Sequence, residues 1–427
     1  MLLIFDMPSV GSGSLLMQAI QASNNPFVLV VRDKNRTSSS WSNELQAQVT
    51  LHECQPYTIE AIDGLLDNLG IHKVDGIVCV LDGLMPIAAH FAERFAVPFA
   101  SPEAISRWVD KGISRQFCAE ANLPIPPFRW VNDLAPDQLS TWTHYPAIIK
   151  PRRGSGSLGV QRINTSEELL NFFQHKKETF APNEWMLEAM LSGAIYSVEG
   201  YVVKGDLHFL GISDRTWGPQ PLFVEEGLSF PVLEGTQLAQ KLYDTAKQVV
   251  LATNYHHGFF HIELMVHMGE PYIIELNPRC GGRIPMLVSL AYKQDFYREF
   301  LVLFTGSVPS FGVPLCGAFA FYVFPHKQGI WAGFNDSILK QYPSIKLVLP
   351  NSNRHMGEWL GPVYSIRDNI MLVYGVAETT ELAHAILRAF ISEVPMYLRI
   401  EPKLNNRRKR ASVLYRIKKR IRKMLSS

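Results

Sequence analysis

Two carboxylates and an amide stand close together in the stretch His261–Arg283, HIELMVHMGEPYIIELNPRCGGR: Glu263, Glu275 and Asn277. The residues around them read as two apolar strands, Phe259–His267 and Glu270–Glu275, turning at Met268-Gly269. In an antiparallel hairpin the start of the first strand neighbours the end of the second. The two carboxylates therefore converge, and Asn277, two residues on, returns to the same side. Such a set is all oxygen, the kind Mg²⁺ takes while filling its shell from phosphate oxygens. Arg279 adds a planar donor fork for an anion, and Gly281-Gly282 let backbone N–H groups approach a ligand closely. The plainer reading is a hairpin with solvated acids. The apolar residues around Glu275 and the acid–Asn–Arg order favour a site.

A second constellation lies upstream. Lys150 ends an apolar strand, Tyr145–Lys150, and is followed by Arg153-Gly154-Ser155-Gly156-Ser157-Leu158-Gly159. Glycines expose backbone N–H groups, which suits covering a triphosphate. This is not a GxxxxGK[ST] loop, because the lysine precedes the glycines. Alone, it would read as a flexible turn; the lysine before it and the carboxylate hairpin after it argue for phosphate.

These residues need elements to hold them. Leu2–Phe5, Phe27–Val31 and Gly76–Leu81 read as buried strands, with helices at Ser14–Ala22 (capped by Ser12 or Ser14) and Pro86–Phe95, then a strand at Val97–Phe99. Strands alternating with helices predict a parallel sheet of βαβ units. Gly11-Ser12-Gly13-Ser14 lacks the third glycine of a dinucleotide loop and reads as a tight turn. A helix over Asp110–Phe128 is stopped by Leu123-Pro124-Ile125-Pro126-Pro127. Val160–Ile163 returns from the glycine loop. A helix at Ser166–Gln174, capped by Thr165 or Ser166 with Glu168 near the capping-box position, comes next. Met186–Leu191, Ser197–Val203 and Leu207–Ile212 read as antiparallel strands, and Leu238–Thr253 as a helix. Cys316–Phe324 and Ile370–Val376 are strands, followed by a helix at Glu381–Ser392.

Composition narrows the class. Of 427 residues, 47% are hydrophobic and 19% charged, which suits a globular chain with a sizeable core. No apolar run is long enough to span a bilayer, and Met1–Asp6 reads as a first strand rather than a signal peptide. The five cysteines, Cys54, Cys79, Cys118, Cys280 and Cys316, show no CxxC pair, so neither a disulfide framework nor a zinc site is expected. The expected location is cytoplasmic. Cys280, beside Arg279, reads as a packed thiol with no base placed next to it. His256, His257 and His261 lack HExxH spacing and read as structural.

The formal net charge of +2 hides an asymmetry. Residues 403–427 hold eleven Lys/Arg and no acid, leaving a body with a net charge of −9. Val413, Leu414, Ile417, Ile421, Met424 and Leu425 share one helical face there, and basic residues crowd the rest. A basic amphipathic helix suits an anionic membrane surface, an acidic protein partner, or the chain's own acidic body. Nucleic acid is disfavoured, since only Tyr415 interleaves the charges.

In order along the chain, Asp110-Lys111 with Arg115, Tyr145–Lys150, Arg153–Gly159, Trp185-Met186-Leu187-Glu188 and the carboxylate hairpin resemble the ATP-grasp superfamily, over Leu2 to Thr305. The resemblance implies a mixed α/β and α+β architecture: an α/β pre-grasp domain over 1–109 and an ATP-grasp domain over 110–310 with its lid near 128–190. An α+β module over 311–402 and the basic tail, 403–427, would follow. It implies that Lys111 and Lys150 bind ATP phosphates, that Arg153, Gly154, Ser155, Gly156 and Ser157 form the phosphate lid, and that Glu188, Ala189 and Leu191 border the adenine. Glu263, Glu275 and Asn277 would hold one or two Mg²⁺ ions, with Mn²⁺ as the alternative. Within the superfamily the chain looks most like carboxylate–amine ligases that join amino acids. Ser213–Pro231 resembles their substrate loop, with Arg215, Glu225 and Arg283 as candidate substrate contacts. Arg279 and Gly282 match residues that stabilise a tetrahedral intermediate. The implied partners are a small carboxylate and an amine; a homodimer is compatible with the family. Two alternatives stand: a biotin-carboxylase-like or formate-using enzyme, and a non-catalytic nucleotide-binding scaffold.

Overall fold

The computed structural model describes residues 1–8, 12–38, 41–131, 141–152, 159–176, 185–218, 224–351 and 353–402. The loop residues Arg153, Gly154, Ser155, Gly156 and Ser157, Gly11 of the first turn, and the tail 403–427 lie outside them.

The apolar tetrapeptide Leu2–Phe5 is wholly buried and forms the middle of a four-stranded parallel sheet. Phe27–Val31 pairs on one side of it and Gly76–Val78 on the other, with Leu51–Glu53 beyond Phe27–Val31. The third strand is shorter than the apolar run GIVCVL, because the chain leaves the sheet at Cys79 and turns into a short 3₁₀ helix, Asp82–Leu84. Val97–Phe99, expected as a strand, forms none. Ala96 caps the preceding helix in the left-handed region (φ 52°), the Val97 N–H returns to the Ala92 carbonyl, and Pro98 has no N–H to give a ladder. The helix expected over 110–128 is shorter, Lys111–Glu120, and a separate helix, Pro102–Val109, precedes it. Asp110 ends the first in an extended conformation and caps the second by accepting from the N–H groups of Gly112 and Ile113.

Three antiparallel sheets follow. A small sheet orders Phe128–Trp130, Trp185–Ala189, Ala147–Pro151 and Gln161–Ile163, with its own small core of Ile149, Leu169, Phe173 and Leu187. A central sheet orders Asp206–Asp214, Ala194–Val203, Gly258–His267 and Glu270–Asn277. Phe259, at the entry to the long hairpin, stacks within 5.2–5.4 Å of Phe300 and Phe296 on the helix Phe296–Phe304. That helix also lies against the parallel sheet, so one continuous core joins the two. The third sheet orders Thr216–Trp217, Glu225–Phe230, Gly317–Val323, Met371–Ala377 and Ile345–Pro350. Glu225–Phe230, which reads as loop in sequence, pairs with Gly317–Val323, so this sheet is drawn from both sides of residue 310. A three-stranded sheet of Trp359–Leu360, Gly329–Phe334 and Leu398–Glu401 completes the C-terminal part. Among the described residues no helix is long and apolar enough to cross a membrane.

Candidate active site

The hairpin turns through Met268 (φ 51°) and Gly269 (φ 82°), the left-handed pair that a tight two-residue turn requires. This sets the register: Glu263 lies opposite Glu275, and His261 opposite Asn277. A bulge follows Glu263, so that Leu264 pairs with Ile273 and Ile274 is skipped. The Ile274 carbonyl is taken instead by Arg115 Nη2 at 2.6 Å.

A cavity of about 1080 Å³ is lined by Glu263, Glu275, Asn277, Arg279, Gly282 and Arg283 of the hairpin and the turn after it. Its opposite wall comes from the carboxyl ends of the parallel strands, through Pro8, Arg32 and Asp82, the place where open parallel sheets offer a crevice.

Glu263 Oε1 accepts from His261 Nε2 at 3.1 Å and from Arg215 Nη2 at 3.3 Å. Burial works to raise its pKa, but the His261 hydrogen bond and the Arg215 charge prevail and hold it well below the usual carboxylate range. His261 is buried, which disfavours its cation. Glu199, 2.7 Å from Nδ1, outweighs that and lifts the imidazole to about 9. Glu275 Oε1 lies 2.7 Å from Lys111 Nζ, and despite burial this carboxylate raises the lysine's pKa. Asn277 Nδ2 donates to the His261 carbonyl at 3.3 Å, which leaves the amide oxygen to offer a cation. Two carboxylates already facing cations, with one amide oxygen beside them, fit a hard divalent ion. Among the described residues no three His, Cys, Asp or Glu side chains form a metal cage, so such an ion would need Asn277 and phosphate oxygens to complete its shell.

Lys150 is buried near the end of the strand Ala147–Pro151, with Nζ 2.5 Å from Glu188 Oε2, and Glu188 Oε1 accepts from Arg115 Nε. Burial lowers the lysine's pKa; burial also opposes ionisation of Glu188, but Arg115 and Lys150 keep it below the usual range. The Glu188 side chain is thus engaged by two cations. The N–H of Ala189 goes to the Pro127 carbonyl, and Leu191 lies just past the strand end. Arg152, the last described residue before the glycine loop, donates to Asp110 at 2.7 Å and lies over Trp130, which ties the loop's base to the helix that presents Lys111.

Arg279 does not stand free. Its Nε donates to Asp82 Oδ1 at 2.7 Å, Nη2 to Oδ2 at 2.5 Å, and Nη1 to the Cys280 carbonyl at 2.9 Å. Asp82 was not among the expected residues. Its only sequence signal is an acid just beyond a buried parallel strand. Arg215 Nη1 lies 3.0 Å from Glu225 Oε1, and Arg283 Nη2 donates to the same oxygen while its guanidinium sits 4.5 Å above the Tyr322 ring. The three candidate substrate residues therefore share one carboxylate. Burial pushes the Cys280 thiol well above its ordinary range, away from a nucleophilic thiolate. His257 is buried against the Leu303 carbonyl, and His256 is exposed.

Residues 143–286 match the family model described as ATP-grasp domain. The chain carries an ATP-grasp domain. The matched span holds Lys150, Glu188, Arg215, Glu225, Glu263, Glu275, Asn277, Arg279 and Arg283, and Lys111 precedes it. The L-amino acid ligase of Bacillus licheniformis has a similar structure, with TM-score 0.76 at 18% identity over 94% of this chain and 98% of that one, so the two share a fold over nearly all of this chain. The uncharacterized protein y4rH of Sinorhizobium fredii is 28% identical over 58% of this chain and 52% of its own length. Dapdiamide A synthase of Enterobacter agglomerans is 28% identical over 56% of this chain and 55% of its own. The chain thus spans about half the length of the curated relatives it matches.

Proposed function

We propose that this chain is an ATP-dependent ligase that activates a carboxylate as an acyl phosphate and joins it to an amine, an amino acid, forming an amide. The observation that carries this reading is the register that seats Glu263 opposite Glu275, next to Asn277, on the cavity that Arg279 and Gly282 also line. The similarity to dapdiamide A synthase and to an L-amino acid ligase supports the amide-forming choice within the fold.

A carboxylate is a poor electrophile, and phosphorylation supplies its leaving group. Glu263, Glu275 and Asn277 are the residues that would hold Mg²⁺, or Mn²⁺ in its place; the bound ion neutralises charge on the transferring phosphoryl group. Lys150 and Lys111 add fixed positive charge toward the phosphates, and Glu188 and Glu275 orient them. By the resemblance, Arg153–Ser157, which lie outside the described residues, would be the part that covers the triphosphate. Arg279, held by Asp82, stabilises the oxyanion that forms when the amine attacks, with Gly282 leaving room beside it. No enzyme nucleophile is needed.

The test is ADP release from ATP and Mg²⁺ across pools of amino acids, with the amide product identified by mass. Release only with bicarbonate or formate would replace this reading by a carboxylase-like one. ATP binding without release for any carboxylate would leave a nucleotide-binding scaffold.

A further inference from the structure

The charges lining the cavity are almost all matched. Arg279 is held by Asp82, Arg152 by Asp110, Arg32 by Asp6, and Arg215 and Arg283 by Glu225. Arg367 lines the same cavity from the C-terminal part of the chain, and among the described residues its guanidinium has no carboxylate partner. The nearest acid in sequence, Asp368, is already engaged: Oδ2 accepts from the N–H groups of Tyr364 and Ser365, and Oδ1 lies 3.3 Å from Arg354.

The backbone beneath Arg367 is fastened on several sides. It sits in the 3₁₀ turn Ile366–Asp368, closed by the reciprocal Ser365–Asp368 capping box, with the Ser365 hydroxyl accepting the Arg367 N–H at 3.2 Å. Asn351 donates to the Arg367 carbonyl at 3.4 Å. The side chain is exposed. A fastened turn therefore presents an unneutralised planar donor fork at the wall of the cavity that Arg283 and Tyr322 also line. A guanidinium in that setting suits bidentate recognition of a carboxylate.

We propose that Arg367 anchors the free α-carboxylate of the amino acid that supplies the amine, and so selects free amino acids over neutral amines. The proposal rests on the ligase reading above. An amine donor of this class brings a negative charge of its own into the cavity. The cavity's other arginines already face an acid that offsets their charge, whereas Arg367 does not.

The experiment compares alanine with alaninamide as amine donor, following ADP release by the full chain and by Arg367→Gln and Arg367→Lys. The wild type should show a KM for alanine at least about tenfold below that for alaninamide. Arg367→Gln should bring the two KM values together, with kcat and the KM for ATP little changed, and Arg367→Lys should restore part of the preference. Three results would overturn the proposal: a preference that survives in Arg367→Gln, an equal loss for both donors, or a raised KM for ATP alone. Should the wild type release no ADP with any acid and amine, the ligase reading fails on its own. Calorimetric titration with acetate in the presence of a non-hydrolysable ATP analogue and Mg²⁺ then decides the anion site: weaker binding by Arg367→Gln supports it, and equal binding or none by the wild type refutes it.

Discussion

Replacing Glu275 by Gln keeps the side chain's shape and removes one negative charge from the hairpin. Lys111 loses the carboxylate 2.7 Å from its Nζ, and the oxygen set loses one of its two carboxylates. ADP formation by Glu275→Gln should fall by at least about a hundredfold, which is about 2.7 kcal/mol at the transition state. Turnover near the wild-type rate would remove Glu275 from the chemistry. Lys150 separates phosphate binding from this effect. Lys150→Ala should weaken ATP binding, measured by fluorescence titration with a nucleotide analogue, more than Lys150→Arg, which keeps the charge on a differently shaped fork. Unchanged affinity in the alanine variant would make Lys150 only the buried partner of Glu188. The pairing of Glu263 with Glu275 was legible because its signal is local: an acid before the turn and another after it define a register. Asp82 was not legible. It meets Arg279 across 197 residues, and no periodicity encodes such a pair.

At the level of elements, Arg115 joins three pieces that the sequence leaves far apart. It sits on the helix Lys111–Glu120, bonds Glu188 on the strand Trp185–Ala189, and takes the Ile274 carbonyl that the bulge left over. Arg115 is 2% exposed, and removing one member of a buried ion pair strands the other charge. Arg115→Met should lose about 3–5 kcal/mol in urea unfolding followed by circular dichroism, through Glu188 rather than through lost volume. A loss near zero would mean that Lys150 alone neutralises the glutamate. The strands carrying strong apolar alternation or continuous apolar runs were readable as elements. Glu225–Phe230 was hidden by the Gly- and Pro-containing stretch before it, and its partner, Gly317–Val323, is too distant for hairpin logic. The helix Pro102–Val109 went unread, whereas Asp110, the expected start of the next helix, is where the carboxylate's capping bonds open Lys111–Glu120.

For the molecule as a whole, the charge separation between body and tail calls for its own test. Eleven basic residues without an acid lie in 403–427, outside the described residues. Each basic residue near an anionic surface contributes about 1 kcal/mol before salt screening. A chain ending at Pro402 should release ADP as the full chain does, and should no longer sediment with vesicles containing phosphatidylserine at low salt. If the full chain ignores such vesicles, the tail binds protein instead, either a partner or the acidic body. If the shortened chain loses activity or solubility, the apolar face of Val413, Leu414, Ile417 and Ile421 is part of the fold.

The sheet drawn from both sides of residue 310 also limits how this chain could be cut or recombined. Gly317–Val323 lies between Glu225–Phe230 on one side and Met371–Ala377 on the other. Ending the chain at 310 would strip Glu225–Phe230 of its inner neighbour and leave an unpaired row of N–H and C=O groups next to buried Leu228 and Phe230. Exposed edges of that kind template intermolecular pairing. The C-terminal part is therefore not a cassette that can be exchanged at a linker between related chains. A graft that keeps function must carry residues 225–230 along with their distant partners, or it will yield aggregates on gel filtration.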